Sequence, residues 1–210
     1  MPERFGHGSY VGNIDIPPMP KVNVKEMFWN MMKMSRTPDP YMLPALQKLK
    51  ASNKFIVAAL SNSINFPAGV KDNYGEVFDS GIHRRAWSAK DVPEVGRPEE
   101  QGGFEEERED IRKHFDIFIG SSHVGMRKPE KRMYEYALKE LQNMAREKGF
   151  DLKPNEILFL DDIGTNLKTA RALGMRTIKV QLGKAKDAVV ELQEKVGMKL
   201  LDDEQPKGRL

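Results

Sequence analysis

The sequence predicts an α/β domain of Rossmann-like type, a parallel sheet with helices on both faces. Three observations predict it. Four short apolar runs are spaced along the chain, stretches of helical periodicity lie between them, and glycines stand where those helices have to stop. A chain of 210 residues, 39% of them apolar and 31% charged, supplies one buried core and excludes a disordered or collagen-like chain.

Taken in order, residues 1–22 are rich in Gly and Pro, and only Tyr10–Ile16 has strand character. Met27–Met34 and Tyr41–Lys50 read as helices parted by Pro38 and Pro40, with Met42, Leu46 and Leu49 on one side of the second. Phe55–Leu60 is the first apolar run and Asp116–Gly120 the second. Between them Glu94–Glu109, charged and glycine-containing, reads as an exposed excursion. In Glu130–Lys148 the residues Met133, Ala137, Leu141 and Met144 mark one helical face, and Pro129 suits its first turn because the missing N–H has no partner there. Ile157–Leu160 and Thr177–Val180 are the last two runs. Helices at Asn166–Leu173 and Ala185–Val196 stop at Gly174 and Gly197, which tolerate a left-handed backbone. The expected organisation is an irregular segment 1–22, a helical segment 23–52, an α/β core 53–200 and a polar tail 201–210.

Composition narrows the function classes. Cys is absent, which excludes disulfides, thiolate metal sites and cysteine nucleophiles and suits a reducing compartment. A net charge of +3 with interspersed signs argues against a nucleic-acid partner. No apolar stretch approaches the roughly 18 residues of a membrane span, and the polar start Met1–His7 lacks the pattern of a signal peptide. The expectation is a cytoplasmic protein with no membrane partner.

Ligands of a doubly wound sheet lie beyond the carboxyl ends of its strands. After the first run comes Ser61-Asn62-Ser63, a hydroxyl, an amide and backbone N–H groups suited to phosphate oxygens. After the second, Lys128 stands just before a helix, where its ammonium can neutralise an anion. After the third come Asp161 and Asp162, adjacent carboxylates that repel each other unless a cation such as Mg²⁺ holds them. Alone, each is ordinary: a turn, a solvated charge, a helix cap. Together, at successive strand ends, they make a candidate site for a small phosphorylated or anionic ligand.

The stretches FIVAALSNS, HFDIFIGSSHVGMRKPEKRMYEYALKEL and EILFLDDIGTNLKTARALGMRTIKV resemble the second, third and fourth motifs of the haloacid dehalogenase superfamily. The last two are closest to its phosphatase branch, as in the N-terminal domain of soluble epoxide hydrolases. The resemblance covers about residues 40–197. It implies a Rossmann-like core with a helical cap, here reduced to residues 23–52. It implies that Ser61, Asn62 and Lys128 bind the phosphoryl group, with Lys128 in a catalytic role. It further implies that Asp161 and Asp162 hold Mg²⁺, weakly here, and that Gly164–Asn166 support them.

One part of the resemblance is missing. The family attacks phosphorus with the first acid of an Asp-x-Asp after an apolar strand, and this sequence contains no Asp-x-Asp. Asp15 is the alternative nucleophile, but Pro17 stands where the second acid belongs and can neither donate nor accept a proton. The reading is therefore a phosphatase-branch protein that is weak or inactive as a phosphatase. The alternative is a non-catalytic protein that binds an anionic ligand or a protein partner. The family's first strand is central, between those ending at Leu60 and Leu160. The expectation is that Tyr10–Ile16 fills that place, from the same chain or, in a homodimer, from a second one, rather than the neighbours pairing directly.

Overall fold

The structure is a computed structural model, and it describes residues 21–35, 37–64, 66, 69–78 and 111–202. Helices α1 (Val24–Met34) and α2 (Met42–Ala51) lead into strand β1 (Ala58–Ser61). After a 3₁₀ turn at Ile111–His114 come β2 (Ile117–Gly120), α3 (Ser121–Val124) and α4 (Lys131–Glu147). A second 3₁₀ turn at Pro154–Glu156 precedes β3 (Leu158–Asp161), α5 (Gly164–Ala172), β4 (Arg176–Lys179) and α6 (Ala185–Val196).

The strands are parallel and form two pairs, β1 with β2 and β3 with β4. Their positions correct the expected ones. β1 starts at Ala58 rather than Phe55, because Val57 instead exchanges bonds with Asp116: its N–H donates to the carboxylate and its carbonyl accepts the Asp116 N–H. At the other end Ser61 pairs with Gly120 and Asp161 with Lys179, so both residues close their strands instead of following them. A ladder joins backbone groups and is indifferent to the polarity of the side chain it carries.

Both faces of the sheets are covered by helices. On one face, α4 contributes Met133, Tyr134 and Ala137 to a core that holds Leu60 and Ile119 of one pair and Phe159 of the other. On the opposite face Ala45 of α2 and Ala188, Val189 and Leu192 of α6 pack against Leu158, Leu160 and Ile178. The alternation Leu158, Phe159, Leu160 between the two cores is the period of two that a strand buried on both faces requires. Both pairs thus lie under α4, yet among the described residues β1 and β3 are not hydrogen-bonded to each other. Direct pairing of these neighbours does not occur. Phe118 and Ile119 of β2 are buried, whereas Leu60, Leu158 and Phe159 are half-buried. Tyr10–Ile16, Asp15 and Glu94–Glu109 lie outside the described residues.

Helix boundaries follow local chemistry. The Asn23 side chain accepts from the Glu26 N–H and starts α1 three residues earlier than its apolar pattern suggests. Asp39 accepts from the N–H groups of Tyr41 and Met42 and starts α2. Pro129 is not in the first turn of α4 as expected: Glu130, with ψ 126°, is the cap and Pro129 precedes it. Gly174 and Gly197 end α5 and α6 at φ of +86° and +64°, as the sequence reading has it. Not foreseen was a turn at 69–78 that closes over α1. Its Phe78 and the nearby Phe66 stack on Trp29, which is 7% exposed. The buried Asp72 carboxylate accepts from Tyr74 and Glu76 N–H groups and pairs with Lys33 at 2.5 Å.

Candidate functional site

The site grows from the carboxyl ends of β1 and β3. Ser61 stands half-buried at the end of β1, fixed by its ladder to Gly120. The side chain of Asn62 turns across to the loop before α4. Its Nδ2 donates to the Lys128 carbonyl at 3.0 Å and its Oδ1 accepts the Lys128 N–H at 2.8 Å. This amide reproduces the two bonds of a strand neighbour, so it positions Lys128 and leaves only one N–H for a ligand.

Lys128 then reaches the other pair of strands. Its side chain is 12% exposed, and Nζ donates to Asp161 Oδ2 at 2.6 Å while standing 5.6 Å from the centre of the Phe159 ring. Asp161, 4% exposed, also accepts at Oδ1 from the Ile163 N–H and from Asn166 Nδ2, both at 2.9 Å. The carboxylate is thus charge-paired and hydrogen-bonded, as a buried charge has to be. Asn166, 2% exposed, passes the network on, because its carbonyl accepts the Tyr134 hydroxyl at 3.0 Å. Burial, and secondarily the negative charge of Asp161, raises the pKa of that phenol. Thr169 Oγ1 donates to the Pro129 carbonyl at 3.1 Å and ties α5 to the Lys128 loop.

Of the residues singled out in the sequence, Asn62, Lys128 and Asp161 are joined by direct bonds. Ser61 adjoins them through the chain. Asp162 is exposed and takes no part in this network. Tyr134, Thr169 and Ser121 were not singled out as site residues, and Asn166 was named only as the end of the Gly164–Asn166 segment expected to support the acid pair. For Asn166 a signal existed: it lies four residues before buried Ala170, so a polar side chain shares the apolar face of α5.

The donor set does not by itself make a divalent-metal site. Among the described residues no three His, Asp or Glu side chains are gathered for an ion. The Asp161 oxygens already meet an ammonium, an N–H and an amide. What the arrangement offers is a half-buried ammonium paired with a buried carboxylate beyond the strand ends, with the half-buried Ser61 closing the adjoining strand.

A family model described as haloacid dehalogenase-like hydrolase matches residues 22–174, most of the chain. The chain belongs to that family. Its similarity to full-length proteins is more local. The bifunctional epoxide hydrolase 2 of Sus scrofa is 41% identical over 92 residues, 44% of this chain and 15% of the relative. The Mus musculus protein of that name is 42% identical over 88 residues, 42% of this chain and 14% of the relative. Acyl-CoA dehydrogenase family member 10 of Mus musculus is 39% identical over 89 residues, 42% of this chain and 7% of the relative. The chain therefore aligns with about one sixth or less of the length of these curated relatives, and the similarity to epoxide hydrolase 2 agrees with the branch that the motifs of this family member suggest. Among the described residues no helix is long and apolar enough to cross a membrane.

Proposed function

We propose that this hydrolase-family chain holds the phosphoryl group of a small phosphorylated ligand at the Ser61–Lys128 cleft and turns it over slowly or not at all. The observation that carries the reading is the pairing of Lys128 with Asp161. Among the described residues Asp161 is the carboxylate at the ammonium, and it is committed to three donors at once. A carboxylate so engaged is a poor nucleophile, since attack on phosphorus would strip it of the charge that balances Lys128. Position and neutralisation, which account for most of phosphoryl-transfer catalysis, are what the cleft supplies. The covalent step has no donor in an Asp-x-Asp, because the sequence contains none.

The residues divide the work. Lys128 supplies the positive charge, Ser61 a hydroxyl, and Asn62 keeps Lys128 in register. Asp161 is committed to three donors and Asp162 stands exposed outside the network, so neither residue is given a metal-holding role. A binding role without catalysis is favoured by the same pairing. The test is Mg²⁺-dependent turnover of p-nitrophenyl phosphate beside calorimetric titration with inorganic phosphate. Expected are turnover near the buffer blank and phosphate binding that Lys128→Met abolishes. Robust turnover that Asp15→Asn removes would overturn the reading and make Asp15 the nucleophile.

A further inference from the structure

We propose that Ser121 is a positioning residue for the ligand loop Ser61–Ser63, with the glycine at 120 leaving room for the Ser63 side chain beside it. The inference rests on the anion-binding reading of that loop. The Ser121 hydroxyl accepts the Ser63 N–H at 3.0 Å and donates to the Ser63 carbonyl at 3.2 Å. One side chain thus satisfies both backbone groups of the residue that follows Asn62, in a place where no strand continues to do so. A second contact reinforces it, since Ser63 Oγ lies 2.8 Å from Ser122 Oγ.

Gly120 makes the approach possible through space, not through backbone freedom. Its φ of −99° is open to any residue. A Cβ there, however, would lie 2.7 Å from Ser63 Oγ and 3.0 Å from His123 Nδ1, distances at which something has to move. The Ser63 hydroxyl therefore occupies the space a side chain at 120 would take, and the loop backbone is held by the first residue of α3. With Asn62 clamped to Lys128, both residues after β1 are fastened to the segment that carries the site cation. Such fastening removes the ordering cost from ligand binding, so Ser121 acts on affinity without touching the ligand.

The experiment is titration of the full chain with inorganic phosphate, alongside thermal melting, for wild type, Ser121→Ala, Ser121→Thr and Gly120→Ala. Expected for Ser121→Ala is phosphate affinity lower by about five- to tenfold, the effect of losing a pair of modest hydrogen bonds. Its melting temperature should stay within a few degrees of wild type. Ser121→Thr, which keeps the hydroxyl, should recover affinity to within about twofold of wild type. Gly120→Ala should weaken phosphate by a smaller factor, and adding Ser63→Ala should regain part of the loss by removing the atom it strikes. Equal affinity of Ser121→Ala and wild type overturns the positioning role alone. Affinity that falls only in step with melting temperature, without recovery in Ser121→Thr, overturns it too. A wild-type chain that binds no phosphate instead overturns the anion-binding reading, and the inference with it.

Discussion

The two pairs of strands end in different chemistry. Beyond β1 the fastenings are neutral: an amide on the Lys128 backbone and a serine hydroxyl on the Ser63 backbone. At the end of β3 the fastening is ionic and buried, with Asp161 joined to Lys128 and Asn166. The difference teaches which half sets geometry and which sets stability. Neutral bonds to backbone contribute about 1 kcal/mol each and can be lost singly. A buried pair that loses one partner leaves an uncompensated charge in an apolar surrounding. Lys128 belongs to both halves, held by its backbone on one side and by its ammonium on the other.

The sharpest way to break the comparison is to remove one fastening from each side. Asp161→Ala leaves the Lys128 ammonium, the Ile163 N–H and the Asn166 amide without their acceptor. It should cost about 3–5 kcal/mol and lower the melting temperature by about 10 °C. Asn62→Ala removes two bonds to an exposed stretch of backbone and should cost about 1–2 kcal/mol. Urea unfolding of both variants measures the difference, and equal losses would refute the division into a stabilising and a positioning half.

A smaller effect is expected where the two pairs face each other. The apolar residues of β1 and β3 are only half-buried, and among the described residues the two strands do not pair. If Tyr10–Ile16 lines these edges, deleting residues 1–18 should lower the melting temperature by about 5 °C or more, because each stranded backbone group costs about 1–3 kcal/mol. A change of oligomeric state on deletion would assign the segment to a second chain. An unchanged melting temperature and an unchanged oligomeric state would show that it is elsewhere.

The smallest effect concerns the amino-terminal ends of the strands, far from the site. Asp116 joins α2 to the start of β1, pairing with Lys50 and accepting the Val57 N–H at 2.8 Å. Burial works to raise its pKa, but the Lys50 ammonium and the Val57 N–H outweigh it and hold the carboxyl below its ordinary value of 3.8. A depressed carboxyl contributes stability that is present above the unfolded value and lost as pH falls through the folded one. Asp116→Asn should therefore be less stable than wild type at neutral pH, and the two should converge as pH falls below the ordinary carboxyl value and through the folded one. A stability difference that persists undiminished into acid would mean that packing, not charge, joins these elements.

Much of this was legible without coordinates, because it depends on local pattern. The period of Met133, Ala137 and Leu141 marked the buried face of α4. The glycines at 174 and 197 marked the stops of α5 and α6, since few other residues accept the left-handed backbone there. The residue types at 61, 62, 128, 161 and 162 marked the candidate site, and the structure joins Asn62, Lys128 and Asp161 by direct bonds while leaving Asp162 outside. What the sequence by itself determined is the α/β order and the family.

Only the tertiary structure decided how those groups are used. Nothing in a spacing of 66 residues tells that the Asn62 amide turns to the Lys128 backbone rather than toward a ligand. Nothing in the string Asp-Asp tells that Asp161 closes a strand and turns inward to three donors while Asp162 remains exposed. Gly120 reads as the last residue of a strand and Ser121 as one position of a motif until the close approach of Ser63 gives each a task. The physical reason is common to all of them. Helices and strands are set by interactions a few residues apart, which a sequence displays, whereas a hydrogen bond between distant segments depends on which donor the packed core brings within about 3 Å of which acceptor.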